Sequence, residues 1–280
     1  MIGNYARRPA AEAELSSMLE ALAFRAPDGA ATWQDPDGAA RLGFRWLRTQ
    51  PDEQSPGIAV TPDGNLAMAC DGHVFADDGQ SAAPLLERFA ARGPEGWHDL
   101  DAQFGLAIWD RRRRRLTLAR DPLGVRFLYY WSSSDGVIFA SEIKALLRHP
   151  AVTRGHDEVA VVQYLVFLTA PGPRTLFAGV RRVPAGASVE LTPEGGASER
   201  RYWDLLDAPV DERDDEKYYV SRTHELHQAA VRRRKVSGPI GALLSGGNDS
   251  SANVSLLSRQ GASPLHTFTV GLAEFEGDTK

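Results

Sequence analysis

The sequence predicts an α+β domain of short strands flanked by helices, followed by the beginning of an α/β domain built on a parallel sheet. Three observations carry this prediction. From about residue 40 to residue 131 the apolar runs are short and are separated by Gly, Pro and Asp clusters, the pattern of a β-rich layered domain. Residues 208–216 are rich in Asp and Glu and read as a linker. Beyond them, strand-like runs at 240–244 and 266–271 enclose a helical stretch at 252–259, the strand, helix, strand order of a parallel α/β unit. The chain is therefore expected to divide into residues 1–205 and 206–280.

With 280 residues, 42% of them hydrophobic and 25% charged, the chain has the length for two domains and too apolar a composition for disorder. A net charge of −5 argues against bulk affinity for nucleic acid, although the arginines are unevenly spread. The single cysteine, Cys70, excludes an intrachain disulfide framework and a cysteine-cluster metal site, and fits a reducing compartment. Met1-Ile2-Gly3-Asn4-Tyr5 lacks a basic start followed by a long apolar run, and nowhere do about 18 apolar residues follow one another. The expectation is an unexported, cytoplasmic protein with no membrane or nucleic-acid partner.

Residues 10–25 carry Leu15, Met18, Leu19 and Leu22 at helical spacing and end at the turn Ala26-Pro27-Asp28-Gly29. Strands follow at 40–47, 66–69 (a run that reaches Cys70), 106–109, 116–119 and 128–131, interrupted by a helix at 84–92 whose Leu85, Leu86 and Phe89 share a face. The arginines Arg111 to Arg115 fall in a hairpin loop. Five adjacent arginines repel unless solvated or paired, so the run reads as a solvated loop, with docking of an acidic substrate or partner as the alternative. Asp135-Gly136 signals a second hairpin, and a helix starts at Ser141-Glu142 and ends near His149-Pro150. Residues 157–168 are helical, with Val161, Val162, Leu165 and Leu168 apolar, and Pro171-Gly172-Pro173 stops them. A strand at 187–191 and a hairpin through Gly195-Gly196 to residues 200–203 complete the first domain. Residues 217–236 form a helix whose Arg232-Arg233-Arg234-Lys235 end suits the negative helix C-terminus. His224 and His227 lie three apart on this helix; lacking a third ligand, they read as exposed or packed residues rather than zinc ligands.

The clearest chemistry lies in Leu243-Leu244-Ser245-Gly246-Gly247-Asn248-Asp249-Ser250-Ser251. Two adjacent glycines let the backbone approach an anion, and Ser245, Ser250 and Ser251 supply hydroxyls at a helix N-terminus that favours negative charge. No lysine follows, so the turn is not the Gly-x-x-x-x-Gly-Lys-Ser/Thr loop, and the bound anion would be held by N–H groups, hydroxyls and a metal. The bland alternative is a Gly-Gly turn capping an ordinary helix. Ser-Gly-Gly-x-Asp-Ser resembles the pyrophosphate loop of the ATP pyrophosphatases, in which the aspartate, here Asp249, helps hold magnesium.

Further segments extend the resemblance to a family. Arg120-Asp121-Pro122-Leu123-Gly124-Val125 with Tyr129-Tyr130, then Phe139-Ala140-Ser141-Glu142-Ile143-Lys144-Ala145-Leu146, resemble the end of the glutaminase-like domain of glutamine-dependent asparagine synthetases. Pro171-Gly172-Pro173-Arg174-Thr175-Leu176-Phe177, Arg201-Tyr202-Trp203-Asp204 and Gly241-Ala242-Leu243-Leu244-Ser245-Gly246-Gly247 continue it into the synthetase domain. The resemblance implies an Ntn-hydrolase-like, four-layer αββα sandwich over residues 1–205 and the N-terminal part of an ATP pyrophosphatase domain over 206–280. It implies ATP and Mg2+ as cofactors, with Leu244 and Val270 against the adenine, Gly271 beside them, and Ser245, Gly246, Gly247, Asp249 and Ser250 at the phosphates and the metal.

The departures from the family carry as much as the matches. Family glutaminases use a cysteine directly after the initiator methionine as nucleophile; here that position is Ile2, which has no nucleophilic atom, and Cys70 reads as a small buried thiol in a strand. Trp46 stands where the family places a carboxylate-binding arginine, and an indole cannot replace an arginine fork. The Asn-Gly-Glu segment is Asp71-Gly72-His73, the Arg-Gly-Pro-Asp-Gly turn is Arg25-Ala26-Pro27-Asp28-Gly29, and the acidic Ser-Asp site is Gln80-Ser81. The expected chemistry is activation of a small-molecule or peptide carboxylate by ATP, giving an acyl-adenylate and pyrophosphate, followed by attack of an amine. Among glutaminase-dead relatives the resemblance favours the lasso-peptide macrolactam synthetases, with surplus loop arginines as receivers of an acidic side chain. A β-lactam synthetase and an ammonia-dependent asparagine synthetase are the alternatives. Only two strands and one helix follow the linker, whereas an open parallel sheet needs more strands to bury its faces. The expectation is a fragment, a synthetase domain completed by a second polypeptide, or a non-catalytic partner protein.

Overall fold

The computed structural model describes residues 1–6, 12–48, 57–75, 83–192, 196–213, 215–234, 238–262 and 264–271. Gln80, Ser81 and Gly195, each singled out above, lie outside them. In chain order the elements begin with strand β1 (Ile2–Ala6), helix α1 (Glu12–Glu20), β2 (Gly29–Gln34), β3 (Ala40–Trp46), β4 (Ile58–Val60), β5 (Leu66–Val74) and helix α2 (Ala83–Arg92). They continue with β6 (Ala102–Asp110), β7 (Arg115–Arg120), β8 (Tyr129–Ser133), β9 (Gly136–Ala140), helices α3 (Ile143–Leu146) and α4 (Glu158–Phe167), β10 (Val180–Arg182), β11 (Ala187–Leu191) and β12 (Ala197–Arg201). Helix α5 (Glu216–Arg233), β13 (Ile240–Leu243), helix α6 (Asn248–Arg259) and β14 (Leu265–Phe268) follow. Contacts divide the chain into two units, Met1–Val74 with Asp78–Pro209, and Phe75–Asp77 with Val210–Lys280.

The first unit is built on two six-stranded antiparallel sheets, ordered β10-β8-β9-β1-β3-β2 and β12-β11-β7-β6-β5-β4. Side chains alternate between the faces of a strand, and the cores show this directly. Met1, just before β1, and Tyr5 within it enter the core between the sheets with Leu42, Trp109, Leu118 and Phe139. Ile2 points the other way, into a core with Leu15, Met18 and Leu19 of α1 and Leu146 of α3. From β6, Ala107 and Trp109 face the other sheet, while Phe104, Leu106 and Ile108 face Leu85 and Leu86 of α2. Helix, sheet, sheet, helix is the resulting layering, an α+β sandwich.

Several boundaries differ from the expectations. The first helix is shorter, Glu12–Glu20, because residues 21–25 form turns. The helix expected from Ser141 is one turn, Ile143–Leu146, and β5 runs on to Val74, so Asp71, Gly72 and His73 lie inside a strand. Helix α4 starts on the cap that the sequence shows, Asp157, whose Oδ1 accepts the Ala160 N–H at 3.0 Å. Its apolar positions are nevertheless not a core face: Ala160 is its only buried residue.

The arginine run is also resolved. Arg111 pairs with Asp37 at 3.1 Å, Arg112 with Asp63 at 3.4 Å, Arg113 with Asp110 at 3.1 Å, and Arg115 with Glu190. Arg114 takes φ +52° at the turn between β6 and β7. Four of the five arginines of this solvated hairpin loop are paired with carboxylates of the same unit, which weakens the run as a ground for an acidic substrate.

In the second unit β13 and β14 pair in parallel, Ile240 with Leu265 through Leu243 with Phe268. The expectation of a buried strand at 266–271 is overturned: His266, Thr267 and Phe268 are exposed, because a two-stranded sheet with one connecting helix leaves most side chains without a covering layer. Leu256 and Ala262 are the buried apolar residues among those described here.

Candidate nucleotide site and altered amidotransferase site

Because β13 and β14 run in the same direction, Leu244-Ser245 and Thr269-Val270-Gly271 leave the sheet together at its carboxyl end, where open α/β sheets bind ligands. Two hydrogen bonds fix this end. The Leu244 N–H donates to the Phe268 carbonyl at 2.9 Å, and Thr269 Oγ1 donates to the Leu244 carbonyl at 2.7 Å. Gly246 then takes φ +82°, while Gly247 is extended as the N-cap of α6. Ser250 Oγ accepts the Ser245 N–H at 3.2 Å, lies 3.1 Å from Ser245 Oγ, and donates to the Gly247 carbonyl at 3.1 Å. Ser251 Oγ donates to the same carbonyl at 2.8 Å. The hydroxyls therefore hold the turn closed across both glycines.

Helix α6 begins at Asn248, four residues before the expected start, so Asp249 and Ser250 lie in its first turn rather than in a loop. The first N–H groups of a helix have no carbonyl one turn back, and they favour an anion. The turn and these N–H groups fit a phosphate, which would compete with the Gly247 carbonyl for the serine hydroxyl hydrogens. Magnesium is ordinarily held by one or two carboxylates together with phosphate oxygens, and exposed Asp249 is the carboxylate at this turn. Among the described residues no group of three or more His, Cys, Asp or Glu could hold a metal without such a ligand. Leu244 is half-buried, and Val270 and Gly271 are exposed beside it. His224 and His227 are engaged elsewhere, His224 Nε2 with Gln228 Nε2 at 2.6 Å and His227 Nε2 with Asn253 Oδ1 at 2.7 Å.

Gly246→Ala tests the turn. An added Cβ would meet nothing within 4 Å, so the whole effect comes from the left-handed backbone. We expect a cost of about 1–2 kcal/mol localised to the turn, read as faster hydrogen exchange at Ser245–Ser250 with an unchanged first unit.

In the first unit, the position at which the resemblance would place a glutaminase nucleophile holds a buried isoleucine. Ile2 is 0% exposed. The Met1 amine donates to Ser141 Oγ at 3.2 Å, and burial lowers its pKa. Cys70 is buried as expected, and desolvation pushes its thiol far up, which removes the thiolate. Around them runs an ionic chain: Arg126 to Asp71 at 3.5 Å, Asp71 to Arg25 at 3.6 Å, Arg25 to Glu142 at 3.1 Å, and Glu142 to Lys144 at 2.8 Å. Burial acts to raise the Glu142 carboxyl, but hydrogen bonds from Lys144 and Arg25 outweigh it and hold it below the usual range. The Trp46 ring packs over Gly29, and Arg45 Nε donates to the Ala26 carbonyl at 2.9 Å, tying β3 to the 25–29 turn. Sequence reasoning missed this chain and missed Thr269; opposite charges on Arg25, Asp71 and Arg126 were visible, but their proximity was not.

The fold defines a class, an antiparallel αββα sandwich followed by the strand, turn and helix of a parallel α/β unit. The glutamine amidotransferase domain pattern matches residues 1–203, and the asparagine synthase pattern matches residues 222–279. The chain belongs to the asparagine synthetase family. Asparagine synthetase [glutamine-hydrolyzing] 3 of Bacillus subtilis is 32% identical over 76% of this chain and 35% of its own length. A putative asparagine synthetase [glutamine-hydrolyzing] of Mycobacterium tuberculosis is 30% identical over 90% of this chain and 43% of its own. The chain thus spans less than half the length of these curated relatives. Among solved structures, the allosteric regulatory enzyme of purine biosynthesis superposes with a TM-score of 0.52 at 14% identity, over 97% of this chain and 66% of that one, a likeness of fold alone. Among the described residues no helix is long and apolar enough to cross a membrane.

Proposed function

We propose that this chain belongs to an ATP-dependent, AMP-forming amide synthetase that takes its amine from the substrate and does not hydrolyse glutamine. The observation that carries the reading is Ile2, fully buried in the helix-layer core where the family resemblance places the glutaminase nucleophile. Ser245, Gly246, Gly247 and Ser250 bind the phosphates of ATP, Asp249 holds the cation, and Leu244, Val270 and Gly271 flank the adenine. Magnesium, when bound, neutralises the developing pyrophosphate leaving group. This chain spans 35% and 43% of the length of two curated relatives, and placing the carboxylate and the amine is assigned to none of its described residues. The substrate is a linear peptide closed into a macrolactam of the lasso type, a choice that rests on the resemblance to glutaminase-dead relatives.

The test is ammonia release from glutamine. We expect none from the native protein, and none from Ile2→Cys, because Trp46 supplies no fork for the glutamine carboxylate and the Asp71 carboxylate is engaged by Arg25 and Arg126. Steady ammonia release from the native protein would end this reading.

A further inference from the structure

In a parallel ladder, a residue that turns its N–H and C=O toward the neighbouring strand donates to one residue there and accepts from the residue two further along. Leu244 has begun this pattern, because its N–H donates to the Phe268 carbonyl at 2.9 Å, one step beyond the pairing of Leu243 with Phe268. The next bond of the ladder would run from the Val270 N–H to the Leu244 carbonyl. Although both residues are among those described, that bond is not made. The Leu244 carbonyl accepts from Thr269 Oγ1 instead, at 2.7 Å. A carbonyl could accept both donors, yet this one takes only the hydroxyl of the two, a side chain standing in for a backbone donor at the last rung. The pairing of β13 with β14 therefore stops one bond early. It leaves the Val270 N–H outside the ladder at the carboxyl end of the sheet, in a residue that is 89% exposed.

We propose that Thr269 is a positioning residue for the nucleotide: by taking the Leu244 carbonyl it holds the Val270 N–H out of the ladder, as a backbone donor for a ring nitrogen of the base. The proposal rests on the reading above that Leu244 and Val270 flank the adenine. An amide already paired with Leu244 would have to break that bond before it met a base. One held open in water loses only a solvent contact when the base arrives. The same hydroxyl ties the two segments that leave the sheet, so the wall formed by Val270 keeps its register with the turn that starts at Ser245.

The test compares Thr269→Val, which keeps the branched shape and removes the hydroxyl, with Thr269→Ser, which keeps the hydroxyl. Thr269 is exposed, so both variants should fold. Amide exchange read by NMR on the whole chain reports the ladder without any nucleotide. We expect the Val270 amide to exchange about 10-fold more slowly in Thr269→Val, because it regains the Leu244 carbonyl, and at the native rate in Thr269→Ser. In the complete synthetase Thr269→Val should raise KM for ATP by about 10-fold, the scale of one hydrogen bond, with kcat for pyrophosphate release unchanged. Thr269→Ser should keep the native KM. A Val270 amide that exchanges alike in all three proteins overturns the proposal, and slowed exchange with an unchanged KM overturns its nucleotide role. A native synthetase that releases no pyrophosphate from ATP would end the ATP reading and that role together, while the exchange result still decides the ladder.

Discussion

Asp249→Ala is expected to lower ATP-dependent pyrophosphate release by the complete synthetase by at least about 100-fold, the scale seen when one preorganised charge-stabilising group is lost. The loss should fall on chemistry and not on folding. Asp249 is exposed in the first turn of α6, and the turn is held by the Ser245 and Ser250 hydroxyls, the Ser251 hydroxyl and the Gly247 carbonyl rather than by its carboxylate. Its structural contribution is the interaction of one carboxylate with a helix N-terminus, about 0.3–1 kcal/mol. Asp249→Asn keeps the size of the side chain and removes the charge, so it should lose nearly as much pyrophosphate release while melting at the same temperature. If either variant releases pyrophosphate at the native rate, Asp249 does not hold the cation.

Trp97→Ala is expected to destabilise the first unit by about 3–5 kcal/mol, measured as a shift of the urea midpoint. The indole is fully buried between α2 and the outer face of its sheet, with ring centroids 5.4 Å from Phe89, 5.5 Å from Phe104 and 5.7 Å from Tyr202. Its Nε1 donates to the Leu85 carbonyl at 2.9 Å, so truncation leaves both a cavity and a carbonyl without its donor. Trp97→Phe keeps most of the apolar volume and should cost markedly less. Equal costs for both variants would mean that the hydrogen bond, not the packing, carries the effect.

The elements that could be read from the sequence were those whose pattern is local. The Asp135-Gly136 turn between β8 and β9, the capped start of α4 and the Ser-Gly-Gly turn after β13 each announce themselves within a few residues. Strand β1 did not, because it is central in its sheet and buried on both faces, so Ile2, Gly3, Asn4 and Tyr5 show no polar alternation. Strand β2, Gly-Ala-Ala-Thr-Trp-Gln, alternates in burial but opens on three small residues of low strand preference, Gly29, Ala30 and Ala31. The periodicity of α4 was legible and its surroundings were not: four branched side chains on one stripe mark a helix, yet nothing local says whether that stripe meets a core.

The same limit governed the sites. The candidate nucleotide turn is contiguous, and its glycines, serines and aspartate could be picked out as candidates before any geometry was known. What the fold added is the early start of α6, which moves Asp249 into the first helical turn, and Thr269, which locks the end of β13 from the neighbouring strand. The charged residues were the least legible. Arg111 finds Asp37 across 74 positions, and Arg25, Asp71, Arg126, Glu142 and Lys144 link three separate loop segments, strand β5 and helix α3. Such partners follow from sheet topology, which charge patterning along the chain does not contain.

The most direct test of the central claim follows the nitrogen. The complete synthetase would be incubated with ATP, magnesium, a linear peptide bearing an acidic side chain and glutamine labelled at its amide nitrogen, and the products would be weighed by mass spectrometry. The account predicts AMP, pyrophosphate and a peptide lighter by one water, with all the label still in glutamine. Label appearing as ammonia or in an amide product, with the peptide unchanged, would contradict it.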